Sequence, residues 1–275
     1  MSGEYTYYRD GFFGYGPEGT FRPFTPMHFI PILVTVGLLI LVWYRRRRLR
    51  EWKGEIHFRY VLAFLMFLME FSYFLRLLYV GDSSGRFLMM SKLPLHLCDI
   101  GLCSCMFMVT SRNRTLFGFN FFVTLFGATL ACIIPQTVLT NVGPMHFRYY
   151  QYFGEHLIPI FGTVYMMTVH GMRPRYRDIW ISVGVLSAML IPSLLLNEAY
   201  PGSDYLFLKL ELPLLPDNQY LRGGIYAVLI TAVFHGMWLL WRLYLRGKEK
   251  RTRGKLEAKQ PGDRKQNLEA GGWQV

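Results

Sequence analysis

Charge is scarce in this chain. Only 17% of its 275 residues are Asp, Glu, Lys or Arg, while 52% are apolar and 17% aromatic; an average globular domain carries about a quarter charged residues. A disordered chain needs the opposite balance, low hydrophobicity with high net charge. A collagen-like chain needs glycine at every third position, and glycine numbers 26 here. Thirty Lys+Arg against 18 Asp+Glu leave a net charge of +12, but the basic residues flank apolar runs, which argues against a nucleic-acid binder. No glycine-rich phosphate loop occurs, and nothing points to NAD, flavin or haem, so no cofactor is expected. Cysteine is limited to four residues, Cys98, Cys103, Cys105 and Cys132, all inside apolar runs, so no disulfide framework is implied.

Long apolar runs fill the space between the polar intervals. About 20 helical residues cross a ~30 Å hydrocarbon core, and seven stretches qualify as spans: Met27–Tyr44, His57–Val80, Leu93–Thr110, Thr115–Pro135, Tyr149–His170, Ile179–Leu196 and Gly223–Leu245. The apolar residues do not alternate as in a barrel strand, so the spans are helices. The expected fold is an all-α polytopic bundle of about seven transmembrane helices. Residues 1–26 form an extracytoplasmic segment, 27–245 the membrane domain and 246–275 a basic, disordered cytoplasmic tail. The first apolar run starts after a polar aromatic stretch and ends in Arg45 to Arg48, unlike a cleavable signal.

Lys and Arg set the orientation. The loops after the first, third and fifth spans and the tail, with Arg59 at the edge of the second span, hold 21 of them, the opposite set holds 7, and Arg76 and Arg242 lie within spans. The N-terminus is therefore expected outside and the C-terminus in the cytoplasm.

Ionisable residues at membrane depth are costly, which marks them for function. Here they are Glu70, Arg76, His96, Asp99, Glu155, His156 and His235, with Cys98, Asn120 and Gln136 beside them. Cys98 falls about 9 Å into the third span, at 1.5 Å per residue, and His156 reaches a similar depth in the fifth. Arg76 and Gln136 fall near the outer ends of theirs. One polar layer in the outer half of the bilayer results. Cysteine is its strongest nucleophile and needs a base in reach. His96 is two residues away and faces elsewhere on a helix, whereas His156 arrives on another helix. Asp99 is three residues from His96 and pairs naturally with it. The other cysteines read as small packing residues, and His235 as an interhelical hydrogen-bonding or site-lining residue. His-x-Cys at 96/98 and Cys-x-Cys at 103/105 cannot chelate together on a continuous helix, so no metal is expected.

Three stretches carry a resemblance: Leu93 to Asp99 (LPLHLCD), Phe119 to Ala128 (FNFFVTLFGA) and Phe147 to His156 (FRYYQYFGEH). They resemble the YwaF-like family of multi-pass membrane proteins, which includes the eukaryotic transmembrane protein 164, an acyltransferase of ether phospholipids. The resemblance implies acyl transfer through a thioester on Cys98, with His156 taking and returning the proton. Arg76, His96, Asp99, Gln136 and Glu155 are the accompanying substrate-binding residues, and Arg76 the stabiliser of a phosphate or oxyanion. Membrane lipids are the expected partners, nucleic acid is not, and a bacterial cell membrane is the expected location. The alternative is a transporter or channel, which expects polar residues through the full membrane thickness. A seven-helix receptor or scaffold rests on span count alone.

Overall fold

A computed structural model of the chain describes residues 11–13, 21–80, 93, 95–135, 143–200, 203–210 and 215–259. Seven α-helices follow one another among them: α1 (Pro26–Glu51), α2 (Glu55–Val80), α3 (Leu97–Ser111), α4 (Arg114–Ile133), α5 (Phe147–Thr168), α6 (Tyr176–Ala199) and α7 (Gln219–Lys259). A 3-10 turn, Tyr205–Phe207, lies between α6 and α7. No strand occurs among the described residues. The polytopic helical bundle read from the sequence is therefore the fold.

Among the described residues, five helices are long and apolar enough to cross a membrane: α1, α2, α4, α6 and α7. The two exceptions have different causes. α3 has 15 residues, about 22 Å at 1.5 Å per residue, which is short of a ~30 Å core. α5 is long enough, but twelve of its 22 residues are buried, among them Gln151, Glu155, His156 and Thr163. It packs against α1, α2, α3 and α4, so much of its surface meets protein and can be polar. α1 shows the converse: only His28 and Val42 are buried along it, and from Phe29 to Tyr44 its exposed large side chains are aliphatic and aromatic, as a lipid-facing helix requires.

The chain divides into two units, residues 1–230 and 231–275. In the first, hydrogen bonds show which helix ends meet. At the arginine-rich end, Arg50 Nε donates to Val169 O, at the C-terminus of α5, at 2.6 Å. Arg59 Nη1 donates to Val109 O and Thr110 O, in the last turn of α3, at 2.6 and 2.8 Å. These arginines therefore satisfy helix carbonyls that lack intrahelical donors, beyond any role in topology. At the opposite end, His28 Nε2 lies 2.6 Å from Cys132 O and Phe24 N–H donates to Nδ1 at 3.1 Å. A carbonyl only accepts, so Nε2 carries the proton and the ring is a neutral strap between α1 and α4.

Small residues set the close crossings. A Cβ on Gly162 of α5 would lie 2.9 Å from Met66 Cε on α2, and 3.1 and 3.3 Å from Cys105 Sγ and Val109 Cγ1 on α3. One on Gly118 of α4 would lie 2.3 Å from the Asp178 carboxylate of α6. The second unit begins within α7, which continues helical past the expected span end at Leu245 to Lys259. The residues there include good helix formers (Leu, Lys, Glu, Arg, Ala) and no proline. Within that unit His235 Nδ1 donates to Thr231 O at 2.8 Å, one turn back.

Candidate functional site

α3 begins four residues later than the hydropathy suggests. Leu95 N–H closes a turn on Leu93 O at 2.7 Å, and His96, extended at φ −87° and ψ 152°, takes the N-cap position. Cys98 and Asp99 consequently occupy the first turn of α3, over the partial positive charge of its N-terminus. The expectation that Cys98 lies about six residues into a helix is corrected: it is the second residue of one.

Cys98 lines a small cavity between α3, α4 and α5, about large enough for one water molecule. Leu97, Gly101, Leu102, Thr124, Ala128, Glu155 and Pro159 complete its wall. The Cys98 Sγ–H donates to Asp99 Oδ1 at 3.7 Å. The Cys98 sulfur and one oxygen each of Asp99 and Glu155 all lie within 4.8 Å of one another. Both carboxylates are buried and Cys98 is half-buried. His156 follows Glu155 on α5 and is also buried. Its Nδ1 is 2.7 Å from Tyr152 O, so Nδ1 carries the proton and Nε2 has the lone pair of the neutral ring.

Two polar residues that sequence reasoning missed, Arg148 and Gln151, hold Glu155 in this wall. Arg148, which the charge count places in the outer loop, is the second residue of α5. Its Nη1 donates to Gln151 Oε1 and, at 3.4 Å, to Glu155 Oε2. The guanidinium lies 4.0 Å from the Tyr73 ring of α2 and 5.8 Å from that of Tyr152, both within cation–π range. Gln151 Nε2 donates to Glu155 Oε2 at 2.6 Å. The sequence does hold the signal: positions 148, 151 and 155 share one face of a helix.

The other expected residues are placed as follows among the described residues. The His96 ring lies 5.3 Å from Tyr205 and 5.1 Å from Phe207, beside the 3-10 turn. Arg76 is buried on α2. Gln136 lies outside the described residues. Asn120 is a node between α3 and α4, accepting from Ser104 Oγ at 3.0 Å and Thr124 Oγ1 at 2.6 Å. Cys105 and Cys132 are buried in packing contacts, Cys105 against Pro159 O and Thr163.

A second polar cluster, also missed, sits at the arginine-rich end. Arg59 Nε donates to both Glu55 oxygens at 3.0 and 3.1 Å. Tyr165 Oη donates to Glu55 Oε1 at 3.1 Å, and His170 Nε2 lies 2.7 Å from the same oxygen.

With this geometry in hand, the comparison with known proteins is decisive at one level. Residues 23–244 match the TMEM164 family. The chain belongs to that family. No curated protein and no solved structure matches it. The match covers all of α1 to α6 and α7 as far as Tyr244, so the cavity and its polar wall lie within the part shared with this multi-pass membrane family.

Proposed function

We propose that this TMEM164 family protein is an acyltransferase of the cell membrane, acting on a (lyso)phospholipid or other lipid through a thioester on Cys98. One observation carries the reading: a cysteine lines a buried polar cavity at the N-terminal end of α3, with Asp99 and Glu155 beside it. In the first half-reaction Cys98 gives its proton to His156 and its sulfur attacks the donor's ester carbonyl. The S–C bond forms, the C–O bond breaks, and the departing lipid alkoxide takes the proton back. In the second, an acceptor hydroxyl gives its proton to His156, attacks the thioester and releases Cys98, which recovers the proton. Arg76, His96 and Gln136 serve the lipid headgroup, and the cavity end faces outward, with the arginine-rich end in the cytoplasm. Membrane lipids are the only partners the chemistry requires.

The test is hydroxylamine-sensitive labelling of the purified protein with an alkyne-tagged phospholipid donor. Wild type should label and Cys98→Ser should not, while Cys103→Ala labels as wild type does. Undiminished acyl transfer by Cys98→Ser refutes the mechanism. A second reading, transport, draws support from the Glu55–Arg59–His170 cluster, because it adds buried ionisable groups at the end that the sequence left poor in them. Flux of a solute across proteoliposomes, retained in Cys98→Ser, would favour it.

A further inference from the structure

The Cys98 site has a charge problem. If Cys98 is to react, its sulfur must carry negative charge at some stage, and it would do so with Asp99 Oδ1 3.7 Å away and a Glu155 oxygen within 4.8 Å. Two carboxylates that close oppose a third negative charge. The helix N-terminus supplies only a fraction of a positive charge. A full cation is needed.

The geometry offers one on α5. Arg148 binds Glu155 directly, and a Glu155 oxygen lies within 4.8 Å of the Cys98 sulfur. Its side chain is only 12% exposed, so solvent screening is weak. The rings of Tyr73 and Tyr152 wall it, and Gln151 fixes both it and Glu155. Its Nε is buried with no hydrogen-bond partner among the described residues, so the fork is not fully spent on the protein around it. The same Tyr152 also links to the proposed base, through its carbonyl on His156 Nδ1 and a ring-to-ring distance of 4.4 Å. Arg148, Glu155 and His156 thus move as one framework on α5.

From this arrangement we infer that Arg148 is the positioning cation of the Cys98 site, offsetting Glu155 so that the sulfur can take up negative charge. The inference rests on the reading of Cys98 as the reacting residue, but it needs no acyl chemistry to be tested. Arg148 acts through Glu155 and the local field, and the bond-making group remains Cys98.

The experiment is the pH profile of Cys98 alkylation by N-ethylmaleimide in the full-length protein, in a background where Cys103, Cys105 and Cys132 are Ala. The thiolate adds to the maleimide double bond, a proton ends on the neighbouring carbon, and the thioether is read by intact mass. In Arg148→Gln the rate at fixed pH should fall about 10-fold and the profile move up by about one pH unit, the shift expected on losing one nearby opposite charge. Arg148→Lys keeps the charge without the fork and should recover most of the rate. Glu155→Gln removes an opposing carboxylate and should move the profile to lower pH. A profile unmoved in Arg148→Gln overturns the inference. If that variant does not fold, Arg148→Lys and Glu155→Gln decide it, and a Glu155→Gln profile unmoved or shifted upward overturns it. Shifted profiles without any hydroxylamine-labile adduct in wild type would refute acyl transfer and leave the inference standing. Adduct formation at the wild-type rate in Arg148→Gln, with an unmoved profile, would do the reverse.

Discussion

Gly118→Ala tests the helix packing behind the cavity, because its sign runs against helix propensity. Alanine is better than glycine in a helix interior by about 1 kcal/mol, so an unobstructed site should gain. At Gly118 the new methyl would lie 2.3 Å from Asp178 Cγ and Oδ2 and 2.6 Å from Asp178 Cβ. Asp178 is buried and cannot swing aside cheaply, since its Oδ2 accepts from Arg175 N–H at 2.7 Å at the start of α6. Moving the carboxylate loses that cap, at about 1 kcal/mol, and because Asp178 Cβ is still too close, α4 and α6 must also separate, with an overpacking cost of about 1–3 kcal/mol. Combining the two with the propensity gain leaves roughly 1–3 kcal/mol of net destabilisation. Gly184 on α6, where an added methyl would find nothing within 4 Å, is the control and should be neutral or gain. The assay is the apparent Tm of purified protein in one detergent at one scan rate, because membrane-protein unfolding is commonly irreversible. Gly118→Ala should melt several degrees below wild type, and the deficit should shrink in an Asp178→Ala background if the two residues couple. A Gly118→Ala protein as stable as Gly184→Ala would refute the packing argument.

Other outcomes follow from the two ends of the bundle. Arg59→Gln leaves Glu55 buried with a lost charge partner and uncaps Val109 O and Thr110 O; about 3–5 kcal/mol should be lost, read as a fall in apparent Tm, and Arg59→Lys should not restore it fully because one ammonium cannot reproduce the fork. His28→Phe keeps the ring but strands Cys132 O and Phe24 N–H, so it should destabilise by about 1–3 kcal/mol and leave the acylation of Cys98 per folded molecule unchanged. For orientation, a cysteine placed at Gly247 should resist a membrane-impermeant maleimide in intact cells and react after permeabilisation, and reaction in intact cells would reverse the proposed topology.

Hydropathy makes the helices legible, because a lipid-facing helix must be apolar on its outside and α1 is little else. It places α5 to within two residues at each end but misses the start of α3, and it says little about the polar faces of either, because α3 and α5 pack against several other helices. The apolar run from Leu93 hides the turn that delays α3 until Leu97. Arg148 falls among the loop residues because the positive-inside argument sums arginines without asking which of them a helix face carries inward. Glu55 and Arg59 escape notice for a similar cause: they fall at the edge of an apolar window, although their i,i+4 spacing predicts a pair. The residues on α3 and α5 still stand out in the sequence as ionisable groups in apolar surroundings. Their grouping needs the crossing of α3, α4 and α5, which spacing along one chain does not contain.

That crossing also bears on the two functional readings. Transport through the bundle would have to join the Cys98 cavity to the Glu55 cluster along α5, between Glu155 and Tyr165. Gly162 sits in that interval, and Met66, Cys105 and Val109, all buried, close on it so tightly that one methyl would meet all three. The Asn120 node on α4 spends its bonds on Ser104, Thr124 and Leu116 O. A water needs room and two to four polar partners; the Gly162 crossing leaves no room, and the polar groups beside it, Thr163 Oγ1 and Pro159 O, bond one another and Cys105. A transporter must therefore pull α2 and α3 off α5 in each cycle and expose those side chains. Acyl transfer needs only the N-terminal end of α3 to meet a lipid, with the crossing kept shut as the scaffold that holds Cys98 against Glu155. The dry interval is a cost to the first reading and a requirement of the second.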